Sequence, residues 1–89
     1  MQQAVLTIQN FKGMHARATA VFVQHADTFT SEITVQKGDM CVSGKSVMGL
    51  LMLGAACGDT ITVTATGPDE DKALANLKAL IADKFGEDS

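Results

Sequence analysis

A histidine and an arginine two residues apart are the side chains of this sequence best suited to chemistry. His15 and Arg17 lie in Gly13-Met14-His15-Ala16-Arg17, where an apolar strand pattern ends and a helical pattern begins. Neutral imidazole is a nucleophile at physiological pH, and the free N–H groups at a helix start attract an anion such as a phosphoryl group. The helix dipole disfavours imidazolium, and the Arg17 guanidinium can spread phosphoryl charge. The pattern fits a phosphoryl acceptor, although an ordinary surface or capping histidine would show it as well.

A serine at the predicted start of a short helix is the second candidate. Gly44-Lys45-Ser46 resembles the end of a nucleotide-binding loop, but that motif needs a further glycine five residues before Gly44. Asp39 occupies this position, so we exclude a nucleotide loop. Ser46 is expected to be the N-cap of the helix that follows. His25 lies late in the first helix and is expected to be an ordinary surface or boundary residue.

The helix after Ser46 is apolar on every side. Its residues 47–53 read Val-Met-Gly-Leu-Leu-Met-Leu. A helix that lies on a sheet buries only one stripe, so part of this surface stays exposed. Methionine is flexible and polarizable, which suits a surface that must fit several partners. We therefore expect a docking patch that two alanines of the first helix complete. The docking patch comprises Val47, Met48, Met52, Ala16 and Ala20.

Seven elements must position these residues. Alternation of apolar residues with threonine predicts strands, and apolar residues at helical spacing predict helices. The strands are expected over residues 4–8, 32–36, 40–42 and 60–66. The helices are expected over residues 16–26, 47–53 and 69–85. The order βαββαβα predicts an α+β fold, a two-layer open-faced β-sandwich with a four-stranded antiparallel sheet and three helices on one face.

Two finer expectations concern the helices. In the first helix, the spacing places Ala16, Ala20 and Val23 on one apolar stripe, with Phe22 and Ala26 beside it. In the last helix, Asp69 follows a glycine and a proline and is expected to cap the helix with its side chain.

Length and composition restrict the class of protein. The chain has 89 residues, which is room for a single domain over residues 1–89 and leaves little volume for a deep substrate cavity. The net charge of −3 argues against a nucleic-acid partner. The sequence shows neither a signal-peptide pattern nor an apolar run of the ~20 residues that a membrane span needs. We expect a cytoplasmic protein without membrane insertion. Cys41 and Cys57 lack zinc-site spacing and are expected to be buried, reduced thiols, and no cofactor or metal is expected.

Gly13-Met14-His15-Ala16-Arg17 resembles the phosphorylation loop of HPr, the histidine phosphocarrier of the bacterial phosphoenolpyruvate phosphotransferase system. The similarity continues in register through residues 20–24, 44–50, 62–68 and 69–80. The resemblance implies that His15 receives a phosphoryl group on Nδ1 from enzyme I and passes it to an enzyme IIA domain. It implies that Arg17, with the backbone N–H groups of Ala16 and Arg17, supports the phosphate. The protein would then be a carrier that is consumed and regenerated in each transfer, and not an enzyme.

The resemblance also implies regulation. The HPr proteins of many bacteria carry a serine in Lys-Ser-Ile/Val-Met-Gly that HPr kinase/phosphorylase modifies, and Ser46 matches it. A phosphate at a helix N-terminus is tolerated, but it would repel an acidic partner. One departure concerns the motif itself, because the family usually continues with Pro-Ala where this chain has Ala18-Thr19. The departure puts transfer rate and partner preference in question.

Two pathways and one different function remain open. Residues 44–50 resemble carriers under serine-kinase control, whereas residues 51–53, residues 65–68 and the acidic tail resemble the nitrogen-related carrier NPr. The alternative from another class is a non-carrier regulatory module that acts through Ser46 and the helix over 47–53. In that module His15 need not function. In either case we expect a monomer.

Overall fold

The computed structural model describes residues 1–89, with four strands and three α-helices. The strands are β1 (Gln2–Thr7), β2 (Glu32–Lys37), β3 (Met40–Ser43) and β4 (Thr60–Thr66). The helices are α1 (Ala16–Ala26), α2 (Val47–Leu53) and α3 (Glu70–Ala82), and a 3-10 turn at Lys84–Gly86 follows α3. The predicted order βαββαβα and the α+β class are confirmed.

The sheet has the order β1-β4-β2-β3, and all its pairings are antiparallel. β4 buries Ile61, Val63 and Ala65, and β2 buries Ile33 and Val35, all on one face. On that side α2 contacts β2 and β3, α3 contacts β1 and β4, and α1 packs against both helices. The threonines that alternate with the buried residues lie on the open face. The alternation seen in the sequence therefore corresponds to one covered face and one uncovered face.

The buried side of α1 differs from the predicted stripe. The residues of α1 that enter the core are Ala18, Thr19, Phe22 and Ala26. Ala16 is exposed, and Ala20 and Val23 are only half-buried. The helix is thus rotated away from the predicted orientation, because Phe22 is its largest apolar side chain and lies fully inside the core. Ala16 and Ala20 are consequently left near the surface.

The start of α3 also differs from the prediction. Asp69 occupies the N-cap position, but its carboxylate makes no capping bond within α3. It accepts hydrogen bonds from the Ser31 hydroxyl and from the backbone N–H groups of Thr30 and Ser31, the latter two at 2.9 Å. These bonds, that from the Ser31 hydroxyl foremost, lower the pKa of Asp69 to about 2. Asp69 therefore ties the loop between α1 and β2 to the start of α3.

The end of α3 comes three residues earlier than predicted. The helix stops at Ala82 because Lys84 and Phe85 both have a φ of +57°, which is not helical. Phe85 is nevertheless buried. The chain turns at this point and runs back toward the start of α1, which brings Glu87 to His15.

The two cysteines are exposed, so the prediction of buried thiols was wrong. Cys41 lies on edge strand β3, and Cys57 lies in the loop before β4. Each is a free thiol. None of the helices has the length and apolar composition required to cross a bilayer.

Candidate functional site

The loop before α1 is held in place from two sides. The Gly13 N–H donates to the Asn10 carbonyl at 3.0 Å, and the Met14 N–H donates to the Ala55 carbonyl at 2.9 Å. The buried Asn10 side chain donates to the Gly13 carbonyl at 2.7 Å. Gly13 has a φ of +67°, and a Cβ atom there would lie 2.7 Å from the Ala55 oxygen. Only glycine fits this position, and the loop delivers His15 to the start of the helix.

His15 is the N-cap residue of α1, with extended backbone angles (φ −78°, ψ 177°). Its carbonyl accepts the first hydrogen bond of the helix, from the Thr19 N–H at 2.9 Å. The N–H groups of Ala16, Arg17 and Ala18 have no partner within the chain, and the first turn contains no acidic residue. His15 thus lies at the junction of loop and helix that the sequence predicted, beside unpaired donors at the positive end of α1.

An open cavity of about 360 Å³ adjoins the imidazole of His15. Lys12 and Arg17 border it on one side, and the chain over residues 85–89 borders it on the other. Arg17 is exposed and forms neither an ion pair nor a hydrogen bond, so its guanidinium is available to an anion. Lys12 is a second cation at this cavity that the sequence analysis did not single out.

Glu87 is the main residue of the site that sequence reasoning missed. Its Oε2 atom lies 2.5 Å from His15 Nε2, and its Oε1 atom accepts a hydrogen bond from Asn10 Nδ2 at 3.0 Å. Partial burial raises the pKa of the Glu87 carboxyl, but the hydrogen bonds from Asn10 and His15 outweigh it and hold this pKa below its usual value. An ionised carboxylate therefore touches the candidate nucleophile.

Ala18 and Thr19 fit the structure at the positions where the sequence departs from the family pattern. Both side chains are buried. The Thr19 hydroxyl lies within hydrogen-bonding distance of two carbonyls of the first turn, His15 O at 3.1 Å and Ala16 O at 2.9 Å. The hydroxyl is therefore satisfied inside the core, and α1 begins at the expected residue.

Ser46 is the N-cap of α2, as the sequence predicts. Its hydroxyl oxygen accepts a hydrogen bond from the Gly49 N–H at 3.0 Å. The residue is half-buried, and no acidic side chain lies in the first turn of α2. A Cβ atom on Gly49 would lie 3.0 Å from the Val42 side chain, so the first turn of α2 approaches β3 closely. The structure supports the capping interpretation.

The docking patch is exposed in most of its members. Met48 is 70% exposed and Met52 is 66% exposed, and Val47 is also exposed. Ala16 is exposed and Ala20 is half-buried. Because α1 packs against α2, the two groups of residues lie on neighbouring helices. Four of the five residues of the patch are therefore exposed, and their role in docking stays a prediction.

Of the other exposed apolar residues, one lies on α2 and one lies in the loop before His15, and the sequence analysis assigned neither to the patch. Leu51 is exposed on α2, and Phe11 is 79% exposed in the loop before His15. Leu51 belongs to the apolar run that predicted the patch, so its exposure could have been expected. The exposure of Phe11 could have been expected from its polar neighbours in the sequence, since it lies in a polar stretch four positions before His15.

A protein-family model agrees with this geometry. The model described as the PTS HPr component phosphorylation site matches residues 2–83. The chain belongs to the HPr family. It is a phosphocarrier protein of the phosphotransferase system, in a family of carriers and not of enzymes. The resemblance that the loop around His15 suggested is confirmed.

Relatives and solved structures of HPr proteins match nearly the whole chain. The phosphocarrier protein HPr of Cupriavidus necator is 45% identical over 87 residues, which is 98% of each chain. The phosphocarrier protein NPr of Shewanella violacea is 44% identical and covers 94% of this chain and 92% of its own. HPr of Thermoanaerobacter tengcongensis superposes over 100% of both chains with a TM-score of 0.96 at 42% identity. A second structure from that organism is an HPr dimer (TM-score 0.79, 42% identity, 98% and 100% of the chains covered), so a monomer stays a prediction for this chain.

Proposed function

We propose that His15 is the residue that carries the phosphoryl group. The Nδ1 atom would take it from phosphorylated enzyme I and give it to an enzyme IIA domain. The observation that supports this most directly is the state of the two ring nitrogens. Nε2 contacts Glu87, whereas Nδ1 has no partner in the chain. The one fully buried side-chain polar atom without a partner is Asn10 Oδ1, so Nδ1 is not fully buried, and the His15 side chain as a whole is 29% exposed.

Arg17 and Ala16 are the phosphate support in this proposal. The N–H groups of Ala16 and Arg17 are free at the helix start beside His15, and the Arg17 guanidinium is unpaired. Donors at a helix N-terminus and a planar guanidinium both stabilise a phosphoryl dianion. The transfer itself breaks the bond between phosphorus and the donor atom of enzyme I and forms a bond to Nδ1. Positioned charges are the main aid that such a transfer needs.

Ser46 is a regulatory site in this proposal, modified by HPr kinase/phosphorylase. Its hydroxyl caps α2 at the edge of the docking patch. Phosphorylation there would place about two negative charges at the helix N-terminus, which tolerates them. The same charges would lie next to Met48 and oppose an acidic partner that approaches the patch. Enzyme I and the enzyme IIA domains would bind at this patch, and we place the cycle in the cytoplasm.

The test of the carrier function is intact-mass measurement after incubation with phosphoenolpyruvate and enzyme I. We expect a gain of one phosphoryl group that needs His15 and disappears after brief acid treatment, because phosphohistidine is acid-labile. His15→Ala is the matched variant, and another HPr labelled in parallel controls for active enzyme I. Absence of any gain while that control is labelled would refute the carrier proposal. It would favour the regulatory module that acts through Ser46 and α2.

The pathway can be tested with the same phosphorylated protein. Incubation with a sugar-specific enzyme IIA and, separately, with a nitrogen-type enzyme IIA measures which acceptor removes the phosphoryl group faster. Relatives named HPr and NPr match this chain at nearly equal identity, 45% and 44%. The faster acceptor identifies the branch.

A further inference from the structure

The C-terminal tail folds back over the start of α1 and does not extend into solvent. Lys84 and Phe85 both adopt a φ of +57°, a conformation that costs free energy outside glycine. Phe85 is buried in the core, so its packing holds the turn in place. The turn brings Glu87 to His15, 72 residues away in sequence.

The position of the Glu87 carboxylate is fixed from a second side. Asn10 is fully buried, and its amide nitrogen donates one hydrogen to the Gly13 carbonyl at 2.7 Å and one to Glu87 Oε1 at 3.0 Å. A flipped Asn10 amide would place its oxygen against these two acceptors. The amide is therefore held in one orientation, although its own oxygen then lacks a partner. Both the loop and the tail are tied to this single side chain.

This geometry assigns the protons of the His15 ring. The Glu87 carboxylate can only accept hydrogen bonds, so the Nε2 atom that it contacts at 2.5 Å must carry the proton. In neutral imidazole the other nitrogen then holds the lone pair. The carboxylate lies at the Nε2 end of the ring and leaves Nδ1 open.

We infer that Glu87 is a positioning residue for phosphoryl transfer, which keeps His15 in the tautomer whose Nδ1 atom is the nucleophile. The inference rests on the proposed role of His15. When the Nδ1 lone pair bonds to phosphorus, the bond to the donor atom breaks and its electron pair leaves with the donor. The ring keeps its Nε2 proton and gains positive charge. The Glu87 carboxylate stabilises that charge, as carboxylates beside histidines do in other sites.

Three variants test the inference in the full-length protein. Glu87→Ala removes the acceptor. Glu87→Gln keeps the shape of the side chain. Because Asn10 donates a hydrogen bond, it binds the amide oxygen of the glutamine, and the NH₂ group of the glutamine then points toward His15 Nε2. That arrangement favours the proton on Nδ1. Asp83→Ala is the charge control, since Asp83 is exposed near the tail and its side chain makes no contact with His15.

The first readout is the pair of ring ¹⁵N chemical shifts of His15, measured at a pH where the ring is neutral. We expect a protonated Nε2 in the wild type and in Asp83→Ala, a mixture of tautomers in Glu87→Ala, and a shift toward protonated Nδ1 in Glu87→Gln. The second readout is the single-turnover rate of phosphorylation by enzyme I. Glu87→Ala should lower this rate about tenfold. That factor corresponds to the lower end of the range for a hydrogen bond to a charged group, because water partly screens this contact. Glu87→Gln should lower it further.

The outcomes separate this inference from the proposed function. If the wild type gains no phosphoryl group on His15, the carrier role fails, whereas the ring shifts still report whether Glu87 sets the tautomer. If the wild type is phosphorylated and both Glu87 variants keep the wild-type tautomer, the inference is wrong. Wild-type or faster transfer in the Glu87 variants would also overturn it, whatever the ring shifts show.

Discussion

Replacement of Gly13 by alanine would disturb the loop that delivers His15 to α1. Gly13 has a φ of +67°, and the added Cβ would lie 2.7 Å from Ala55 O and 2.8 Å from Ala56 Cα. Both atoms belong to the backbone and cannot rotate away. The loop must therefore move, and the hydrogen bond from the Met14 N–H to the Ala55 carbonyl, now 2.9 Å, must lengthen.

Three contributions set the size of the effect. The left-handed conformation costs a non-glycine residue about 1 kcal/mol. A stretched backbone hydrogen bond costs about 1 kcal/mol. The overlap of the added Cβ with the backbone of Ala55 and Ala56 adds about 1–2 kcal/mol, which is typical of overpacking in protein cores. The free energy of unfolding of Gly13→Ala should therefore fall by about 3–4 kcal/mol, which leaves a domain of ordinary stability folded.

Gly38→Ala is the matched control for this prediction. Gly38 has nearly the same φ, +59°, but no atom lies within 4 Å of its added Cβ. It should lose only about 1 kcal/mol. Urea denaturation of both variants measures the difference, which we expect to be about 2 kcal/mol or more. Equal destabilisation of the two variants would refute the reasoning that the contact with Ala55 fixes the loop.

The same pair of variants links the loop to transfer. The rate of His15 phosphorylation should stay at the wild-type value in Gly38→Ala, because the turn between β2 and β3 is part of neither the His15 loop nor the docking patch. In Gly13→Ala the rate should fall by a factor on the order of ten to a hundred, because a shift of about 1 Å misplaces the reacting nitrogen. A wild-type rate in Gly13→Ala, measured on protein shown to be folded, would contradict this.

Three further predictions concern the cap, the acid stability and the docking patch. Ser46→Ala removes the bond to the α2 start and should lower the free energy of unfolding by about 1 kcal/mol in urea denaturation; an unchanged midpoint would contradict it. The pKa of Asp69 is about 2 in the folded protein, below its value of about 3.9 in the unfolded chain. Its contribution to stability is therefore complete above about pH 4 and is lost as the pH falls toward 2; Asp69→Asn should flatten this part of the stability profile, and an identical profile would argue against the assignment. Met48→Glu should weaken the binding of enzyme I in calorimetry with little change in melting temperature, whereas Val5→Glu, an equally exposed apolar position on β1, should bind as the wild type does; unaltered binding by Met48→Glu would refute the patch.

The architecture could be predicted because its signals are local. Each strand alternates apolar residues with threonine, and the helices carry apolar residues at helical spacing, so element type and order followed from short windows. The orientation of α1 could not be predicted in this way. Alanine is only weakly apolar, so the alanines of α1 do not show clearly which face of the helix is buried. Phe22 determines that face, because its ring packs among core side chains from other elements.

The candidate site was predictable only where it is local. His15, Arg17 and the helix start follow one another in the chain, so their spacing alone brought them together. Glu87 is 72 residues from His15, and its arrival depends on two left-handed residues at Lys84 and Phe85. Neither is a glycine, and although Gly86 directly after them has a φ of +79° and signals a helix end, nothing in the sequence indicated that the acidic tail would turn back toward His15. Asp69 was misjudged for a similar reason, since its partners come from another loop.

Thr19 shows how a departure from a family pattern can be accommodated. A proline before it would fix the backbone at the start of α1, and its absence could loosen the turn that carries His15. The Thr19 hydroxyl instead bonds to the carbonyl oxygens of His15 and Ala16, and its β-branched side chain is fully buried. Side-chain hydrogen bonding and packing thus hold the first turn of α1 without a proline ring. The N–H groups of Ala16, Arg17 and Ala18 remain free at this helix start, so we expect the departure at Ala18-Thr19 to change how the turn is stabilised and to leave these donors available to a phosphate.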